Sequence, residues 1–218
     1  MDNKKPFRVN YFDIGSNDGR VTKHFAMALD RIGVDYTIFA FEPVSYLYDE
    51  TAKRMLEFKN INIYKLAIAD KEGEADIHIC VNGVGHSLFG DHPGIKKGRT
   101  ERVKTTKFSK WLLENYKIED FVDSFNILKI NIEGSEYAFF RDMIGNDLLK
   151  HFNVICGDDF KDIGKVGALA SRFNDIYAMI MGKIKENNIS YHRVTRYRLN
   201  NISLICNEII ERMKTYGN

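Results

Sequence analysis

A chain of 218 residues with a net charge of +2 is long enough for one sizeable α/β domain and short of a comfortable two. The apolar fraction (44%) and charged fraction (28%) are those of an ordinary globular protein, and so small a net charge gives no electrostatic reason to invoke nucleic acid or an anionic membrane as a partner. Cys80, Cys156 and Cys206 are odd in number, form no CxxC and have no His at ligand spacing, so they read as buried free thiols in a reducing compartment. No apolar run approaches the ~20 residues of a membrane-spanning helix, and the opening Met-Asp-Asn-Lys-Lys-Pro has no apolar leader segment. The expected location is cytoplasmic.

Residues 8–14 read as a buried strand and 20–32 as a helix with apolar positions at Val21, Phe25, Ala28, Leu29 and Ile32. Between them lies Gly15-Ser-Asn-Asp-Gly19, a turn in which two glycines admit positive φ and a close approach of backbone to a ligand. Tyr36–Phe41 is a second strand that must end at Glu42, because Pro43 cannot continue a central strand. A helix with Leu47, Thr51, Met55 and Phe58 on one face follows, then a third strand over 61–66 and the segment Ala67-Ile-Ala-Asp70.

Regular alternation breaks between about 71 and 106, which reads as a variable insertion. Glu74–Val81 alternates like a half-exposed strand, and Asn82–Gly98, with five glycines and Pro93, has the composition of a long irregular loop. Arg102–Thr106 reads as an edge strand and Phe108–Tyr116 as a short helix. The core pattern resumes with a strand over Phe125–Ile132 ending at Glu133-Gly134, a helix carrying Phe139, Phe140, Met143, Ile144 and Leu148, and a fifth strand over Phe152–Cys156. A long helix follows, with Leu169, Phe173, Ile176, Ile180 and Ile184 as its core stripe. The chain then reads as two strands, Ser190–Tyr197 and Ile202–Glu208, joined by a turn at Leu199-Asn-Asn201. Strand–helix alternation through residue 188 implies a parallel sheet with helices on both faces, in one domain spanning 1–218. The closing antiparallel hairpin would make it the seven-stranded, mostly parallel, Rossmann-like sheet of class I methyltransferases.

Four blocks carry a more specific resemblance. Phe12-Asp-Ile-Gly-Ser-Asn-Asp-Gly19, Phe41-Glu-Pro43, Ala67-Ile-Ala-Asp70 and Ile127-Leu-Lys-Ile-Asn-Ile-Glu-Gly-Ser-Glu136 resemble, in the same order, the FkbM-type S-adenosylmethionine-dependent methyltransferases. Asn131 stands where that family usually has Asp. The resemblance implies S-adenosyl-L-methionine as cofactor and methylation of a hydroxyl on a small molecule or a glycan.

Within it, Asp13, Gly15, Asn17 and Gly19 are expected to hold the amino-acid end and ribose of the cofactor, and Ala67 and Asp70 to meet the adenine. Glu42, fixed by Pro43, lies 29 residues after Asp13, the spacing at which one strand–helix–strand step places an acid beside a ribose. The glycines are too far apart for the G-x-G-x-x-G of a pyrophosphate binder, and the acids Asp13 and Asp18 suit a cationic sulfonium ligand better. Glu133, Glu136 and His86 are the candidates for removing a proton from the acceptor; Glu136 doubles as a favourable acid in the first turn of a helix.

No metal site is assigned, although Asp158 and Asp159 at the end of the fifth strand are placed where a Mg²⁺ could orient a hydroxyl. The basic stretch from Lys96 to Lys110 reads mainly as a solvated face. The expected partner is the small-molecule or carbohydrate acceptor, with no nucleic acid or membrane and with a homo-oligomer left open. Two rivals stand beside this reading: a catalytically silent binding module on the same fold, and an N-methyltransferase, which needs no strong base.

Overall fold

The computed structural model describes residues 6–80, 85–90, 95–158 and 173–216, with the backbone alone described at 96–98 and 173–176. Arg8–Ile14 forms β1, buried from its second residue onward, and Gly19 starts helix α1 (Arg20–Ile32). Then come β2 (Asp35–Phe41), α2 (Ser45–Met55) and β3 (Ile61–Tyr64). Two residues, Ala67–Ile68, form β4, followed by β5 (Gly73–Cys80) and β6 (Ile95–Thr106). Helices α3 (Phe108–Asn115) and α4 (Ile118–Val122) lead to β7 (Phe125–Ile130), α5 (Glu136–Gly145) and β8 (Val154–Gly157). The described chain ends with α6 (Phe173–Glu186), β9 (Ser190–Arg193) and α7 (Ile202–Tyr216).

Six strands form one sheet in the order β3-β2-β1-β7-β8-β9, every neighbouring pair parallel. Strand order reverses between β1 and β7, so the loops leaving Ile14 and Ile130 part to opposite sides and open a crevice at the carboxyl edge. Period-two alternation divides the core between the two faces. Phe12, Ile14, Phe39, Leu128 and Ile130 pack against α3, α5 and α6, whereas Val9, Tyr11, Ile38, Ile127 and Cys156 pack against α1 and α7.

A smaller sheet, β4-β6-β5, stands beside the crevice. Its β5–β6 pair is antiparallel, and Ile77, Ile79 and Val103 pack on Ala67, Val44 and Leu47. The insertion expected as mostly loop is therefore a hairpin, with β6 beginning at Ile95 inside the segment read as irregular. Among the described residues no helix is long and apolar enough to cross a membrane.

The expected antiparallel ending is not what the chain forms. Ser190–Arg193 is a strand, but it runs parallel to β8, and 202–216 is a helix. The central sheet among the described residues accordingly has six strands, not seven. The cause is visible in the burial: Ile202, Ile205, Cys206 and Ile209 are buried, at helical spacings of three, one and three, while Leu204, which a strand would have placed beside Ile202 and Cys206, is 48% exposed. That stripe packs onto α1. Of the long helical stripe, Ile180 and Ile184 are buried as expected, and Leu169 lies outside the described residues.

Candidate functional site

A cleft of about 590 Å³, counted to its open mouth, sits at the point where strand order reverses. It is lined by the turn after β1 (Gly15, Asn17), the end of β2 (Phe41, Glu42, Pro43), the β3–β4 connection (Leu66, Ala67, Ile68) and the loop after β7 (Asn131, Ile132, Glu133, Ser135). Ile77 of β5, with Gly85, His86 and Leu88, covers it from the small sheet.

The β1–α1 turn is held by both flanking strands. Gly15 and Ser16 each donate a backbone N–H to Phe41 O at 3.0 Å, and Asn131 N–H donates to Ile14 O at 3.0 Å. Gly15 has φ +81°, and a Cβ there would stand 2.1 Å from Asn131 O, so only glycine lets the two loops meet. Gly19, at φ +71°, starts α1 against Thr51 of α2, 2.9 Å from where its Cβ would be; it seats the helix and does not line the cleft.

Glu42 is 5% exposed, and its carboxylate closes the turn from below. Oε2 accepts Asn17 N–H at 2.8 Å and Oε1 accepts Val44 N–H at 2.9 Å. Burial pushes its pKa up to about 7 against the pull of those two N–H groups. Each oxygen retains a lone pair for a further donor. In the same cleft Leu66, Ala67, Ile68, Ile77 and Leu88 make an apolar wall. Asp70, expected at this wall, is exposed and outside the lining.

The loop after β7 turns through two residues of positive φ, Glu133 (+52°) and Gly134 (+111°). Glu136 makes this possible: buried at the start of α5, it accepts Ile132 N–H at 2.6 Å and Gly134 N–H at 2.8 Å. Burial, and then the neighbouring Glu133 charge, raise its pKa to about 7. Its carboxylate is committed to the backbone and does not line the cleft, so of the two acids only Glu133 borders it. Ser87 Oγ donates to Glu133 O at 2.6 Å, tying the covering segment to this loop.

His86 lines the cleft with both ring nitrogens engaged. Cys80 N–H donates to Nδ1 at 2.9 Å, and Nε2 lies 2.9 Å from Tyr46 Oη. Burial lowers its pKa, with Glu133 opposing. A base must offer a lone pair, and the only nitrogen without a proton already accepts a backbone N–H. His86 is in the expected place without being available for the expected task.

Asp13 differs most from expectation. It shares the odd-numbered face of β1 with Tyr11, so its side chain points under α1 and away from the cleft lining. It is fully buried; Lys129, its register partner on β7, brings Nζ to 2.8 Å from Oδ1, while Thr22 Oγ1 (2.7 Å) and Tyr11 Oη (3.2 Å) donate to Oδ2. Lys129 also donates to Gly15 O. Asp18 is likewise taken, with Arg20 and Arg196 at 3.3 Å and Arg54 at 3.7 Å. Neither acid is left to attract a cation. Asp158 is bound by Arg193 at 2.7 and 3.0 Å, Asp159 lies outside the described residues, and no cluster of metal-ligating side chains occurs among those described.

Lys129, Thr22, Ser87 and Tyr46 were not among the site residues expected from the sequence, and Thr51 was expected only as part of the buried face of its helix. Lys129 alone carried a usable signal there: a lone cation in an apolar strand needs a buried acid on a neighbouring strand. A family model described as the methyltransferase FkbM domain matches residues 13–204. No curated protein and no solved structure matches the chain.

Proposed function

The chain belongs to the FkbM methyltransferase family, and from that premise we propose that it binds S-adenosyl-L-methionine in the cleft and methylates a hydroxyl of a small molecule or glycan. The observation that carries the reading is Glu42: a buried carboxylate with one lone pair per oxygen left over, in a cleft that also has an apolar wall. The donor set fits a nucleoside, with the ribose hydroxyls meeting Glu42, the base lying on Leu66, Ala67 and Ile68, and Gly15 and Asn17 bordering the remainder. When bound, this cofactor supplies an activated methyl group.

The chain's own contribution is alignment and proton removal. The apolar wall excludes water, Glu42 fixes one end of the cofactor, and Glu133, on the loop after β7 that also lines the cleft, takes the acceptor's proton. Glu42→Ala should abolish S-adenosylhomocysteine binding by calorimetry while the circular dichroism spectrum is kept; unchanged affinity would sink the assignment. Glu133→Gln should retain cofactor binding and lose turnover at least ~100-fold in a screen of hydroxyl acceptors with labelled cofactor. Full activity in that variant would instead favour an amine acceptor, which needs no base.

A further inference from the structure

Behind His86, outside the residues that line the cleft, lie donors with no part in cofactor binding. Because Cys80 N–H can only donate, His86 Nδ1 is the acceptor and the ring proton sits on Nε2. Nε2–H therefore donates to Tyr46 Oη, and the Tyr46 hydroxyl must give its own proton to something else. Tyr46 is 41% exposed, and no described residue accepts that proton.

Arg99 belongs to the same place. It lies on β6 two residues before Glu101, beside the register break between His78 and Cys80, and Glu101 and Val103 share one face of that strand. Val103 packs in the cluster with Leu47, and Glu101 accepts Ser45 N–H at 3.1 Å, so this face looks toward the start of α2, where Tyr46 sits. The electrostatics agree. Burial and Glu42 raise the Tyr46 phenol while Arg99 opposes them, and Arg99 adds to the lowering of His86 that burial causes. Two neighbours in the basic stretch are paired, Arg102 with Glu74 and Asp76 and Lys110 with Glu72 and Glu114. Arg99 is exposed and forms no ion pair with a described residue.

We propose that Tyr46, oriented through His86, and Arg99 form an acceptor-recognition rim that binds an oxyanion carried by the acceptor, a carboxylate or a phosphate-type group. An outward phenol donor beside a guanidinium suits that chemistry and suits a neutral acceptor poorly. His86 is then a positioning residue, its tautomer fixed by Cys80 N–H. The subsite serves the methyl-transfer reading, but its oxyanion binding is measurable without it.

The test is ¹⁵N NMR of histidine-labelled protein, with and without S-adenosylhomocysteine, titrated with inorganic phosphate and separately with acetate at millimolar concentrations. Wild type should show His86 as the Nε2–H tautomer, with its Nε2 resonance moving on titration. Arg99→Gln and Tyr46→Phe should each weaken that response about tenfold and leave S-adenosylhomocysteine affinity unchanged. A response to phosphate alone assigns a phosphorylated acceptor, and a response to acetate a carboxylate. An Nδ1-protonated His86, a resonance unmoved by both probes, or equal titrations in wild type and Arg99→Gln would overturn the rim. Loss of S-adenosylhomocysteine binding in wild type would remove the cofactor reading while the ligand-free titration still decides the rim.

Discussion

If Glu42 holds the ribose hydroxyls as proposed, a proton and the ligand compete for the same oxygens. Burial raises its pKa to about 7, and only the carboxylate can accept from both proposed ribose hydroxyls, because the protonated oxygen is itself a donor. Below that value a proton must leave before the ligand is gripped. Affinity for S-adenosylhomocysteine should therefore rise with pH through about 7 and level above it, by up to about tenfold per unit on the acid side. Glu42→Gln should bind weakly with no such slope. Calorimetry at several pH values between about 6 and 8 decides the matter, and a flat wild-type profile would remove the hydroxyl contact. Residues of this kind were legible because a proline two positions beyond a strand fixes what precedes it. Asp13 was not, because a motif gives a residue's place along the chain and the pleat decides its side. Counting odd and even positions from Phe12 and Ile14 puts Asp13 under α1 with Tyr11, where the structure has it.

Elements were legible where one period dominated. Both ends of α1 and β1 fall where the apolar spacing and the glycines place them. The closing segment Ile-Ser-Leu-Ile-Cys-Asn-Glu-Ile-Ile satisfies both periods over its first five residues, and the strand reading followed Ile202, Leu204 and Cys206. What settled it is tertiary: α1 offers a groove that a helix fills through Ile202, Ile205 and Ile209. The two readings differ in a measurable way. Leu204→Lys should change stability by no more than about 0.5 kcal/mol, because the side chain already faces water. Ile205→Lys should cost at least about 3 kcal/mol by placing an unpaired charge between α7 and α1. Urea denaturation of both variants checks this; equal losses, or a larger loss at Leu204, would contradict the helix packing.

For the molecule as a whole, the crevice exists because the chain reverses its direction of travel across the sheet between β1 and β7, and that seam is where buried charge is concentrated. Asp13 and Lys129 face each other across it in direct register, and Lys129 reaches on to Gly15 O in the turn that borders the cleft. A pair with side chains 0% and 5% exposed adds little over apolar packing, but losing one member strands the other charge. Lys129→Met and Asp13→Asn should thus each cost about 3 kcal/mol, and the double variant clearly less than their sum. Lys129→Met should in addition weaken S-adenosylhomocysteine binding, because the Gly15 carbonyl loses its donor and the turn its anchor. Asp13→Asn leaves that donor in place, so its effect on binding should be the smaller of the two even at equal loss of stability. Denaturation and calorimetry on the three variants separate the two roles. Additive stabilities would mean that the ion pair does not couple the strands, and equal binding losses would mean that Lys129 acts on the cleft only through the fold.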